Sequence, residues 1–154
     1  MAYIKTAGQG GCFLCTYRKQ KSDEKNLIVL RGKSCFSILN RFPYNTGHLL
    51  VAPYAHRAKL GALTPSESVE LWELTARMQA ALDQAVRPHG YNIGINLGRV
   101  AGAGLPGHLH LHVVPRWNGD TNFMPVTGGA KVMPMALKDM HRALRRALQR
   151  RDRS

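Results

Sequence analysis

Acidic side chains are scarce in this 154-residue chain: 9 Asp and Glu stand against 22 Lys and Arg, a formal net charge of +13. So basic a chain draws polyanions to it and repels cationic partners. Cysteine is scarce too, and three thiols are too few for a disulfide scaffold. No apolar run approaches the roughly 20 residues that cross a bilayer. Met1 to Gly11 is polar and Gly-rich, without the apolar stretch of a secretory signal. Zinc-finger spacings and RNP-like aromatic runs are missing as well, which removes the usual sequence support for nucleic-acid binding. The expectation is a cytoplasmic protein with no membrane partner.

What is present is an ordinary globular balance, 44% hydrophobic and 20% charged. The length suits one domain with its own core. We expect a core over 12–134 and a basic C-terminal helix over 135–154. In that helix Lys138, Arg142, Arg145, Arg146, Arg150, Arg151 and Arg153 oppose an apolar stripe of Ala136, Leu137, Met140, Ala143, Leu144, Ala147 and Leu148. Its charge reads first as a solvated face and second as a nucleic-acid stripe.

Hydrophobic patterning predicts strands at Leu27–Leu30, Ser34–Asn40, His48–Ala52 and Tyr91–Leu97. Short connections between the first three favour antiparallel pairing. A helix opens at Thr64-Pro65-Ser66-Glu67, where Thr64 suits the N-cap, Pro65 the first turn and Glu67 a capping box. Leu71, Leu74, Met78 and Leu82 mark its buried face, and it ends near Pro88-His89-Gly90. The fold class is α+β. His89 and His141 have no chemical context and read as surface residues, and Cys35, among Phe36, Ile38 and Leu39, reads as core.

The segment His108-Leu109-His110-Leu111-His112-Val113-Val114 carries the chemistry. Alternation with a period of two predicts a strand, ended by Pro115, with three imidazoles on one face and aliphatics on the other. Three imidazoles in a row need partners if buried. A metal site would use them as neutral ligands. A phosphoryl or nucleotidyl transfer site would use one as nucleophile and its neighbours to manage charge and protons. The loop Gly98–Gly107 feeds directly into His108, and its glycines let backbone amides approach a phosphate. Cys12 and Cys15 form a C-x-x-C with metal-ligand spacing, which a reducing compartment favours over a disulfide.

Asn40-Arg41-Phe42-Pro43-Tyr44-Asn45-Thr46-Gly47-His48-Leu49-Leu50-Val51-Ala52-Pro53, followed by H-L-H-L-H-V-V, resembles the histidine-triad (HIT) superfamily over nearly the whole chain. The resemblance implies a HIT-like fold, an antiparallel sheet of about five strands with one long central helix and a C-terminal helix. It also implies nucleotidyl transfer through a covalent nucleotidyl-histidine, with no organic cofactor. By family position His110 is the nucleophile and His112 a donor to the phosphate or leaving group. His48 lines the same pocket, either as participant or as a structural residue. Asn40 falls beside the ribose, Ile38 and Leu50 around the base, and Asn96 near the α-phosphate. Gly104, Leu105 and Gly107 would present backbone donors. Zinc-bearing relatives complete a structural Cys2His2 site with a histidine after the V-x-P strand and the first triad histidine, here His56 and His108 beside Cys12 and Cys15.

Within the superfamily, Ala101–Gly107 and Trp117–Val126 look like bacterial HIT-type diadenosine tetraphosphate phosphorylases, relatives of the Fhit-like hydrolases. The implied reaction gives ATP and ADP with inorganic phosphate as acceptor. Hydrolysis to AMP, toward which His112 at the third triad position leans, is the alternative. A low-turnover nucleotide-binding interaction protein is a third reading. Arg99 and Arg116 are candidate phosphate donors. Family members commonly form homodimers or higher homo-oligomers.

Overall fold

The computed structural model describes residues 11–121 and 133–151. Residues 122–126 of the Trp117–Val126 stretch, residues 127–132 of the expected core, Arg153 and residues 1–10 lie outside the described residues.

The chain opens with α1 (Phe13–Lys19) and the single turn α2 (Asp23–Asn26), then enters β1 (Ile28–Arg31), β2 (Cys35–Leu39) and β3 (Leu49–Pro53). After a short 3-10 turn come α3 (Pro65–Val86), β4 (Gly90–Ile95), β5 (Leu111–Arg116) and α4 (Leu137–Arg151). Among the described residues the strands form one five-stranded antiparallel sheet, ordered β1-β2-β3-β5-β4.

Helix α3 begins as its sequence dictates. The Thr64 side chain accepts from the Glu67 N–H at 3.2 Å, and the Glu67 carboxylate accepts from the Thr64 N–H at 2.8 Å. Leu71, Leu74, Met78 and Leu82 face inward, and Cys35 is buried, all as expected. Glu70, from the same helix, reaches the β1–β2 turn. Its carboxylate accepts the backbone N–H groups of Lys33, Ser34 and Cys35, tying the hairpin to the helix.

The core lies between α3 and one face of the sheet. Ser37 Oγ–H donates to Met78 Sδ at 3.1 Å, so Ser37 and its cross-strand partner Val51 face the helix. With a period of two, Ile38 and Leu50 then face the other way.

Three elements depart from expectation. The histidine strand starts at Leu111, not His108, and runs through Pro115 to Arg116. Leu111 is the first residue that pairs with either neighbour, Val51 on β3 and Ile95 on β4. Before it the backbone is engaged elsewhere: the Leu109 N–H donates to the Arg57 carbonyl, and the His108 carbonyl accepts from the His110 ring. Pro115 is tolerated because β3 pairing stops at Val113, so no β3 bond is lost. Because β5 begins at Leu111, β4 stops at its partner Ile95, and Asn96 lies beyond the strand. His141 is not on the surface: it is buried against β1, its ring nitrogen 2.8 Å from the Ile28 carbonyl. In α4 the buried stripe is Met140, His141, Leu144, Ala147 and Leu148, with Ala136 exposed and Ala143 half-buried.

Candidate active site and adjoining metal centre

Cross-strand partners share a face of a sheet. Ile38 pairs with Leu50, Leu50 with His112, and His112 with Gly94, so these positions form one row on the face away from α3. His110 precedes β5 with the same parity. Its ring lies 4.9 Å from that of His112 at 62°. His48, one residue before β3, is fully buried beside them.

The hydrogen bonds fix where each proton sits. The Tyr44 backbone N–H donates to His48 Nδ1 at 3.0 Å, so that nitrogen carries a lone pair and the neutral ring is protonated on Nε2. His48 Nε2 lies 2.9 Å from His112 Nδ1 and donates to it. The proton of His112 is therefore on Nε2, a buried atom with no hydrogen-bond partner among the described residues. A buried donor without a partner is costly, and this one is available to an acceptor that enters the site. His110 has the opposite arrangement: its Nδ1–H donates to the His108 carbonyl at 2.8 Å, leaving a lone pair on Nε2.

The electrostatics agree with neutral rings. Burial lowers the pKa of His110. Burial, reinforced by the neighbouring His110, pulls His112 down to about 4. Asn40 is buried with its Nδ2 3.4 Å from His48 Nδ1, while its Oδ1 accepts the Phe42 N–H.

The adjoining cluster unites Cys12, Cys15, His56 and His108, whose ligand atoms all lie within 4.8 Å of one another. Cys12 Sγ is 3.1 Å from His108 Nδ1, and Cys15 Sγ is 3.3 Å from His56 Nδ1 and 3.5 Å from His108 Nδ1. A tetrahedral zinc ion with two sulfur and two nitrogen ligands spaces its donors roughly 3.3–3.8 Å apart, so the donor set and spacing fit such an ion. His108 Nε2–H donates to the Pro53 carbonyl at 2.9 Å, which turns the Nδ1 lone pair toward the cluster. Gly107 leaves room for His56: a Cβ there would meet His56 Nε2 at 3.3 Å. Without a cation, burial pushes the Cys12 thiol up to about 11.

The remaining expected residues lie on the loop between β4 and β5. Asn96, Gly104 and Leu105 are half-buried, and the Leu105 carbonyl accepts the His108 N–H at 3.2 Å. Among the described residues no hydrogen bond joins Asn96, Gly104, Leu105 or Gly107 to the His110 or His112 side chain. Arg116 is not a free phosphate donor. Its Nε and Nη2 grip Asp120 at 2.7 Å each, and its Nη1 donates to Asn92 Oδ1 at 2.6 Å. Arg99 is exposed.

Two participants escaped the sequence reading. Tyr44 supplies the N–H that sets the His48 tautomer, and its ring lies 4.8 Å from that of His48 and 5.9 Å from that of His112. Asp120 gathers Arg116, the Trp117 N–H and Asn45 Nδ2, joining the loops after β5 and β2. Only the P-Y-N-T-G-H motif pointed near Tyr44, and nothing local pointed to Asp120.

A family model described as the HIT domain matches residues 21–119. An AP-4-A phosphorylase of Mycobacterium tuberculosis is 50% identical over 125 residues, 81% of this chain and 64% of that protein. An asymmetrical bis(5'-nucleosyl)-tetraphosphatase of Schizosaccharomyces pombe is 33% identical over 93 residues, 60% of this chain and 50% of that protein. The chain thus spans less than two thirds of the length of either relative. Among solved structures, a zinc-bound histidine triad family protein of Mycobacterium smegmatis superposes with a TM-score of 0.74 at 27% identity, covering 93% of this chain and 96% of that one. With five antiparallel strands, the histidine row and the family match in agreement, the chain belongs to the HIT-domain family.

Proposed function

We propose that the protein transfers the adenylyl group of diadenosine tetraphosphate to inorganic phosphate, releasing ATP and then ADP. The observation that carries the transfer chemistry is the pairing of a lone pair on His110 Nε2 with a buried, unpartnered N–H on His112 Nε2. The substrate follows from the likeness to the phosphorylase of M. tuberculosis.

In the first step His110 Nε2 bonds to the α-phosphorus, and the bond from phosphorus to the bridging oxygen breaks. The departing oxygen becomes part of the terminal phosphate of ATP, a weakly basic group with a pKa of about 6. It needs a hydrogen-bond donor rather than a full proton, and His112 Nε2–H supplies one. The His110 ring becomes positive on forming the N–P bond, and the His108 carbonyl on its Nδ1–H stabilises that charge. In the second step an oxygen of inorganic phosphate attacks phosphorus, the N–P bond breaks and ADP leaves. His48 holds the His112 tautomer. Asn40 lies at the ribose, Ile38 and Leu50 flank the base, and Asn96 with the backbone of Gly104, Leu105 and Gly107 lines the phosphate path.

Cys12, Cys15, His56 and His108 would hold a structural zinc ion, which when bound pins α1 to the residues preceding β5. A reducing cytoplasm keeps those thiols available as ligands. A homodimer forms through the β4 edge of the sheet, where Ile93 is exposed and, among the described residues, the outer ladder has no partner strand.

Hydrolysis to AMP is the second reading, favoured by the S. pombe tetraphosphatase likeness and by a histidine at position 112. The deciding experiment incubates pure protein with diadenosine tetraphosphate, with and without inorganic phosphate, and resolves AMP, ADP and ATP. ADP with ATP, only when phosphate is present, supports phosphorolysis; AMP with ATP regardless of phosphate makes the enzyme a hydrolase. Absence of both turnover and an acid-labile nucleotidyl-enzyme would move the protein to the binding-only reading.

A further inference from the structure

Beyond the histidine row, between the loops that follow β2 and β5, lies a cavity of about 240 Å³ walled by Tyr44, Asn92, Val114, Arg116 and Asp120. Its place in the sheet is informative. Val114 follows His112 by two residues and so faces the same side, and its cross-strand partner is Asn92 on β4. Ile38 and Leu50 lie on the other flank of β5, across β3 and β2. A substrate bonded to His110 above β5, with its adenylyl half over β2 and β3, sends its leaving half past His112 toward β4. Four residues of strand separate His110 from Val114, about 13 Å. That distance suits the end of a polyphosphate chain rather than the reacting phosphate.

The chemistry of the walls selects the ligand. The Arg116 charge is balanced by the two contacts from Asp120, so the cavity carries no net positive charge to hold a phosphate. The floor is the aliphatic Val114, and Tyr44, whose ring walls the cavity, is 53% exposed. Arg116 occupies Asn92 Oδ1, which leaves the Nδ2 hydrogens for an acceptor. An apolar floor, an aromatic wall and one amide donor suit a planar, neutral, nitrogen-bearing ring. The volume is below the roughly 300–1,000 Å³ of pockets that take a whole drug-sized ligand, and it fits a piece of one. We propose that this cavity binds the distal nucleobase, the base on the leaving side of the scissile bond.

The proposal rests on the nucleotidyl-transfer reading, and its test separates the two. Adenosine 5'-tetraphosphate has the same reacting α-phosphate as diadenosine tetraphosphate but no distal nucleoside. The wild type should show about tenfold or more higher kcat/KM for the diadenosine compound. Val114→Phe, which fills the floor, and Asn92→Ala, which removes the donor from an exposed position, should each bring the ratio of the two kcat/KM values toward one. A wild-type ratio near one, or a ratio unchanged in both variants, overturns the proposal. Should the wild type turn over neither compound, the transfer reading fails and calorimetric binding decides the cavity. Weaker binding of diadenosine tetraphosphate to both variants then supports it, and equal binding overturns it.

Discussion

Replacing His48 isolates the tautomer argument from simple loss of a catalytic group. His48 accepts from the Tyr44 N–H at 3.0 Å and donates to His112 Nδ1 at 2.9 Å. In His48→Ala both partners lose that contact inside the protein. The buried His112 nitrogen left unsatisfied costs about 1–3 kcal/mol, and for a chain of this size each kcal/mol lowers Tm by roughly 2–4 °C. The rate effect is distinct. Without His48 the His112 ring can carry its proton on either nitrogen and can rotate. Complete loss of the donor would lower kcat about 10²–10³-fold. Because a fraction of the rings keeps the productive form, we expect a loss of about 10–100-fold, the range for removing a group that orients another. His48→Gln places an amide N–H near the former Nε2 and should recover most of the rate. Steady-state turnover of diadenosine tetraphosphate and thermal melting of the three proteins check this. Wild-type kcat in His48→Ala, with only Tm lowered, would refute the relay. So would a Gln variant as slow as Ala.

Two further outcomes follow from the site. His112 is held neutral down to about 4, so protonation of this residue should leave kcat/KM intact through pH 6.5 and cut it only near pH 4. Its folded pKa lies below the ordinary 6.5, so the unfolded chain binds more protons between those values and the His112 contribution to stability declines as pH falls through that window. An acid limb near 6.5 that disappears in His112→Gln would contradict this. For the metal centre, elemental analysis of the purified protein should find about one zinc per chain, and Cys12→Ser or strong chelation should lower Tm. A metal-free protein whose melting is indifferent to both treatments would remove the ion from the picture.

The sequence exposed what is local or periodic. The capping box at Thr64–Glu67 and the inward stripe of α3 each lie within a few residues, where spacing translates directly into geometry. The C-x-x-C announced ligands, and family likeness supplied His56 and His108 as partners, which the fold brings together across 96 residues between Cys12 and His108. Less legible were contacts made by backbone groups or by distant carboxylates. Nothing in the residue pattern shows that the His108 carbonyl turns from the ladder to the His110 ring, which shortens the expected strand by three residues at its start. Arg116 read as an open cation because the pattern alone does not show that Asp120 would fold back on it. His141 lacked context for a similar reason, since its partner is a carbonyl 113 residues away.

His108 works through two different parts of itself. Its side chain belongs to the candidate metal-binding cluster, whereas its hold on His110 runs through the main-chain carbonyl. Every amino acid has that carbonyl. A lineage could therefore exchange the imidazole at position 108, and with it a candidate metal ligand, without removing the carbonyl that orients the His110 ring. The contribution of position 108 to the Cys/His cluster and its hold on the His110 ring are thus separately heritable traits carried by one residue. Selection on stability could rework the first while leaving the chemistry of the second in place.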